Sequence, residues 1–121
     1  MKYILLLHHN EEALSKLSDT ERRKLRQESV QLTHQLHIRG QYIDASPLEP
    51  TSTAISVRVR DGKRLVTDGP FAETREQLAG YFLIDVQDLD EAIAVAAQTP
   101  GARLGTAEIR PVKEIAGLPK R

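Results

Sequence analysis

The residues best suited to chemistry cluster around one short run, VTDGPFAET, at positions 66–74. Asp68 offers a carboxylate as general base or ligand anchor, held by a Gly-Pro turn. The same carboxylate also suits a structural task, accepting backbone N–H groups to pin the turn. Phe71 is a packing anchor or a stacking surface. Glu73 and Glu76 form an acidic rim with Asp68, and carboxylates sharing a cleft can divide acid and base roles. His8 ends the first apolar run, on the face of Ile4 and Leu6, and a histidine is the natural proton shuttle near neutral pH. Tyr81 presents a hydroxyl to a ligand or to an interface. Arg110 clamps a carboxylate bidentately, or pairs with Glu108, Asp85 or an acid across a dimer. The expected catalytic residues are therefore Asp68 and His8. The expected ligand-binding residues are Tyr81, Arg110, Phe71 and Glu73.

Several chemistries find no support. There is no cysteine, hence no thiol nucleophile, disulfide or thiolate metal site. His8 and His9 point apart along a strand, and His34 and His37 lack a nearby acid, so no metal is expected. No run matches a phosphate-binding or dinucleotide loop or a nucleophile elbow, so no cofactor is expected. Seventeen cations balance seventeen acids, and there are only five aromatic residues. Direct nucleic-acid binding normally needs a basic surface, and is not expected. The five-residue apolar run at the N-terminus is too short for a signal core or a membrane span, so a cytoplasmic location and no membrane partner are expected.

The elements that must position these residues follow from periodicity. Residues 2–8 form a short apolar strand. Ser18 and Glu21 make a capping box for a helix over about 19–39, with Leu25, Leu32 and Leu36 on one face and Gly40 past its end. Residues 41–48 form a strand closed by Pro47. Ile55, Val57 and Val59 alternate with polar residues as a half-buried strand does, and Asp61-Gly62 turns the chain back through 63–67. Residues 78–86 form a long central strand. Asp88 caps an Ala-rich helix that Thr99-Pro100-Gly101 stops, and 105–112 is the last strand. One domain over 1–113 and a loose tail over 114–121 are expected. With the hairpin set aside, the order is the ferredoxin-like split βαβ pattern, an α+β fold. Its first strand is apolar on both sides, which a homodimer accommodates.

Asp68-Gly69-Pro70-Phe71, Glu73-Thr74, Glu76-Gln77-Leu78, Gly80-Tyr81 and the Asp-Leu-Asp-Glu-Ala helix start together closely resemble the DGPF-domain family, a branch of the YCII-related proteins. MKYILLL at the front and EIRPV at the back fit too, so the resemblance spans roughly 1–113. It implies a dimeric α/β barrel built from two ferredoxin-like domains. It also implies an association with sigma factors of the extracytoplasmic-function type. Related domains are credited with acid–base chemistry through a His/Asp pair. In this register the helical histidine position falls near Ser29, which ranks binding above catalysis. The expected function is a small-molecule-binding homodimer, accessory or regulatory, taking a small organic acid or phenol. The alternatives are a cofactor-free acid–base enzyme of lyase or isomerase type, and an interaction module for a sigma factor.

Overall fold

The structure is a computed structural model that describes residues 1–120. Strand β1 (Lys2–His9) leads into a one-turn helix α1 (Glu11–Ser15) and the long helix α2 (Asp19–Ile38). Strand β2 (Tyr42–Pro47) follows, then a short 3-10 turn at Thr51–Thr53. Strands β3 (Ile55–Arg60) and β4 (Lys63–Asp68) make a hairpin. Strand β5 (Gln77–Asp85), helices α3 (Leu89–Gln98) and α4 (Pro100–Leu104), and strand β6 (Thr106–Pro111) complete the chain.

The fold is α+β with antiparallel sheets. The main sheet runs β2-β5-β1-β6, and β3-β4 is a separate two-stranded sheet. Alternation along the strands sends Tyr3, Leu5, Phe82 and Ile84 to one face. There they pack with Leu32 and Leu36 of α2 and Ala92, Val95 and Ala96 of α3 into one buried cluster. The opposite face carries Ile4, Leu6, His8, Tyr81, Leu83, Glu108 and Arg110, and no helix among the described residues packs on it.

Local signals account for the element starts. Ser18 Oγ accepts Glu21 N–H at 3.1 Å and donates to Glu21 Oε1 at 3.0 Å, opening α2 as the capping box requires. Asp88 Oδ1 accepts Glu91 N–H at 2.9 Å and opens α3. Asp61 and Gly62 both take positive φ, +51° and +73°, the geometry of a two-residue type I′ turn. Thr99 ends α3 as expected, but it also caps a new helix. Its buried hydroxyl accepts Ala102 N–H at 3.3 Å while Pro100 occupies the first helical turn, where its missing N–H costs nothing.

Two expectations need correction. Ile55, Val57 and Val59 are not half-buried: they are 65%, 58% and 61% exposed, because the hairpin has no layer behind it. Every residue of β4 and all of β3 except Ser56 are exposed. Helices α1 and α4 were also not anticipated, being too short to show a periodic pattern.

Candidate functional site

The open face of the main sheet assembles three of the expected residues. His8 Nε2 lies 3.1 Å from Glu108 Oε1, and with its proton on that nitrogen it donates to the carboxylate. Arg110 donates to the other oxygen of Glu108 at 3.4 Å. Register explains the grouping: β6 pairs with β1 without interruption, so His8, Glu108 and Arg110 fall on one side of adjacent strands. Tyr81, Leu6 and Glu108 form one cross-strand row. Tyr81 donates its hydroxyl to Asp44 Oδ2 at 2.6 Å. That hydrogen bond, with some desolvation, holds the tyrosine pKa above its usual 10.0. Asp44 was missed. It sits in a strand with a register irregularity between Tyr42 and Asp44, which obscures the face of its side chain.

Asp68, Phe71 and Glu73 stand apart from this cluster. Asp68 closes β4 opposite Ile55, and among the described residues its carboxylate has no hydrogen-bond or ion-pair partner. The turn is held instead by Gly69 N–H donating to Ala54 O at 2.7 Å and Ser56 Oγ donating to Gly69 O at 2.8 Å. Phe71 is 81% exposed, so within one chain it packs on neither the sheet nor a helix. Glu73 is exposed, whereas Glu76 turns back to accept Thr106 Oγ1–H at 2.8 Å. Of the three acids expected at a common rim, Glu76 is thus engaged with Thr106 of β6, while Asp68 and Glu73 are exposed.

Helix α1 fixes both ends of the hairpin segment. Glu11 accepts the backbone N–H and the hydroxyl of Thr51 at 2.9 and 2.8 Å. Asn10 Nδ2 donates to Arg75 O at 3.0 Å while its Oδ1 caps α1. Glu11 N–H donates to Gln77 Oε1 at 3.0 Å.

A second site lies on the helix side. The C-terminal half of α2 packs through Leu32 and Leu36, but its N-terminal half spans a gap above the sheet. The resulting cavity measures about 470 Å³, within the usual range for small-molecule sites. Leu7, Leu14, Leu25, Val30, Ala45, Phe82 and Leu104 give it an apolar lining. His9, Arg22 and Arg26 border it, and these three also border an adjoining hollow that opens past Glu12 and Glu49. Arg22 is paired with Asp19, whereas Arg26 has no ion-pair partner among the described residues. Burial pushes the His9 pKa below its usual 6.5, against the opposing pull of Glu11 and Glu76. Ser29 and Thr33 are the small polar groups on the α2 wall, and Thr33 spends its hydroxyl on Val30 O at 2.5 Å. Arg22 and Arg26 were missed because nothing local marks a helical arginine as facing a cavity rather than water, whereas His9, sent by alternation to the side opposite His8, borders this cavity.

The family model for the YCII-related domain matches residues 1–116. The chain belongs to the YCII-related family. A relative from Rhizobium meliloti (strain 1021), described as an uncharacterized protein, is 34% identical over 114 residues, which cover 93% of this chain and 92% of its own length. In this YCII-related chain Ser29, near which the resemblance sets the helical histidine position of related domains, lines the cavity and offers it a hydroxyl. No helix among the described residues is long and apolar enough to cross a membrane, and no three His, Asp or Glu among them group as a metal site.

Proposed function

We propose that the protein is a small-molecule-binding homodimer whose ligand is an apolar organic acid or phenol seated in the helix–sheet cavity. The observation that carries this reading is the cavity itself: about 470 Å³, apolar in lining, with Arg26, Arg22 and His9 at its border. An aryl or alkyl body fits the lining, and its carboxylate or phenolate meets the arginines. A charge-assisted hydrogen bond to a guanidinium is roughly twice as strong as a neutral one. The depressed pKa of His9 leaves it neutral at pH 7, so selectivity for the anion falls to the arginines, with His9 adding a neutral donor. The strand order and the placement of both long helices on one face support a ferredoxin-like unit. The uncovered apolar residues Ile4, Leu6 and Leu83 support pairing of two such units into a dimeric α/β barrel.

The test is isothermal titration calorimetry with paired ligands, each acid against its uncharged amide or ether. The acid is expected to bind, the neutral partner about tenfold more weakly, and Arg26→Gln is expected to erase that difference. Equal binding of acid and neutral partner overturns the anionic ligand. Undiminished binding in a Ser29→Phe variant, whose ring fills the cavity, overturns the location.

The His8–Glu108 pair on the open face favours a second reading, a cofactor-free acid–base enzyme. A carboxylate that orients an imidazole is the arrangement a general base needs, and Tyr81 and Arg110 lie on the same face to meet an anionic substrate. In that reading His8→Gln abolishes turnover of an enolisable acid while leaving ligand affinity in the cavity unchanged. Turnover that survives His8→Gln sinks it.

A further inference from the structure

The hairpin of β3 and β4 takes no part in either site. An isolated two-stranded hairpin is marginally stable at best in water and gains stability only from a further layer. The two sides of this one differ. Register pairs Ile55 with Asp68, Val57 with Val66 and Val59 with Arg64, and alternation puts these six residues on one side. The other side carries Ser56, Arg58, Arg60, Lys63, Leu65 and Thr67, a surface suited to water. On the first side Ile55, Val57, Val59 and Val66 are between 58% and 65% exposed. Asp68 stands at the root of the hairpin and Arg64 near its tip. Neither has an ion-pair partner among the described residues. An apolar centre between charged ends has the anatomy of an interface, with its dry core and polar rim.

We infer that this side of the hairpin is self-complementary and stacks on the same side of a second copy of the chain, about a two-fold axis through the Val57–Val66 pair. The placement of charge selects both the occupant and its orientation. With the two hairpins pointing in opposite directions, β4 lies over β4 of the partner. Val66 then meets the partner's Val66, and Asp68 meets the partner's Arg64. Symmetry repeats that ion pair at the other end. Strand β3 lies likewise over β3 of the partner, so Val57 meets Val57 and Ile55 meets Val59. Stacked sheets lie about 10 Å apart, a gap that facing arginine and aspartate side chains close between them. The other two-fold stacking, with both tips pointing the same way, sets Asp68 over Ile55 and Arg64 over Val59. Both charges would then be covered by apolar groups without a counter-ion, which is costly.

The root of the hairpin is held for this task. Glu11 accepts two hydrogen bonds from Thr51, and Asn10 donates to Arg75 O, on the two chain segments that flank the hairpin. A surface already fixed in direction loses little freedom on docking. The contact uses no residue of the open face of the main sheet, so it adds to the homodimer proposed above and does not compete with it for that face. Two different two-fold contacts on one chain lead to a tetramer when their axes cross at right angles.

Sedimentation equilibrium on the unaltered protein and on charge variants tests the pairing. The expected mass of the unaltered protein is that of a tetramer, and a monomer overturns the hairpin pairing and the homodimer together. Asp68→Arg protein sets cation against cation, and Arg64→Glu protein sets acid against acid. Each alone is expected to associate through the hairpin at least tenfold more weakly. An equimolar mixture of the two places opposite charges at both ends again, and is expected to regain the mass of the unaltered protein. The swapped double variant, Asp68→Arg with Arg64→Glu, is expected to associate on its own. Val57→Lys puts a charge on the axis itself and is expected to weaken association without touching either ion pair. Association that ignores Val57→Lys and both single charge changes overturns the hairpin pairing and leaves the sheet-to-sheet dimer standing. A dimer that these changes break into monomers upholds the hairpin and overturns the sheet-to-sheet contact instead. Weakened single variants that neither mixing nor the swap restores overturn the opposed orientation of the two hairpins.

Discussion

Strands β3 and β5 invite comparison because both alternate, and only one is buried. In β5 the alternation puts Phe82 and Ile84 into the core and Tyr81 and Leu83 on the open face. In β3 the same alternation puts Ile55, Val57 and Val59 on a common side that faces nothing. The difference lies in the neighbours. Strand β5 is flanked by β1 and β2 and backed by helices, whereas β3 has β4 alone. Period two states which side chains share a face; a second layer decides whether that face is worth anything. Burying one Val or Leu is worth about 1.5–3 kcal/mol. The body of the chain collects that energy within itself, and the exposed β3-β4 hairpin, which stands out from it as an arm, does not.

The sharpest way to break this contrast is to cut both regions equally. Leu36→Ala removes a fully buried side chain and is expected to cost about 2–5 kcal/mol in urea unfolding. Val57→Ala in the arm is expected to cost no more than about 0.5 kcal/mol at protein concentrations too low for pairing. A Val57→Ala penalty as large as that of Leu36→Ala would mean that the arm packs on its own body.

The joint between the two regions comes next in size. Glu11 accepts two hydrogen bonds from Thr51, and hydrogen bonds to a charged acceptor are worth about 1.5–3 kcal/mol each when geometry is good. Glu11→Ala is expected to loosen the arm rather than the core. Hydrogen exchange at Thr51 and its neighbours should accelerate by about tenfold or more, with exchange at Leu5 and Ile84 unchanged. Uniform acceleration across both regions would show that the joint is part of the global fold and not a hinge between parts.

The legibility of the chain divides along similar lines. What depends on neighbours in sequence was readable: the Ser18–Glu21 box, the Asp61-Gly62 turn and the Asp88 cap are each complete within four residues. Alternation set His8 on the side of Ile4 and Leu6 and Arg110 on the side away from Ile109, and the strand pairing has both on the open face. What depends on distance between layers was not. Leu25 shares the helical stripe of Leu32 and Leu36, yet only the latter two reach the core, because α2 spans a gap at its N-terminal half. The cavity, with its arginines, exists because of that gap and leaves no mark on the periodicity. Helix α1 carried a readable start in Asn10 followed by two glutamates, but five residues are too few to register as a helix. Asp68 and Phe71 drew attention by type, and the structure shows both exposed, Asp68 with no hydrogen-bond or ion-pair partner among the described residues.

A smaller effect is expected at the cavity border. The pKa of His9 is lowered in the fold, so the native state binds its proton less readily than the unfolded chain does. Above the ordinary value of 6.5 the imidazole is neutral in both states and its protonation contributes no pH dependence. As pH falls from 6.5 through the folded-state pKa, stability is lost, and the loss levels off below it. His9→Gln is expected to remove that part of the acid limb, read as a flatter plot of unfolding free energy between pH 7 and pH 5. An unchanged slope would mean that His9 is solvated in the native protein, and would weaken its assignment to the cavity wall.

The smallest change, Asp68→Ala, sharpens the contrast between arm and body most finely. A carboxylate that pinned its own turn would cost about 1 kcal/mol on removal, as helix caps do. Here Ser56 and the Gly69 amide hold the turn, and Asp68 is exposed without a partner among the described residues. The expected effect on urea unfolding at low protein concentration is therefore within about 0.5 kcal/mol. The informative variable is concentration. If Asp68 meets the other subunit of a homodimer, the variant should match the unaltered protein when dilute and fall below it when paired. A cost of 1 kcal/mol or more already present at high dilution would instead make Asp68 a support of its own hairpin, and the arm would then be more self-sufficient than its exposure implies.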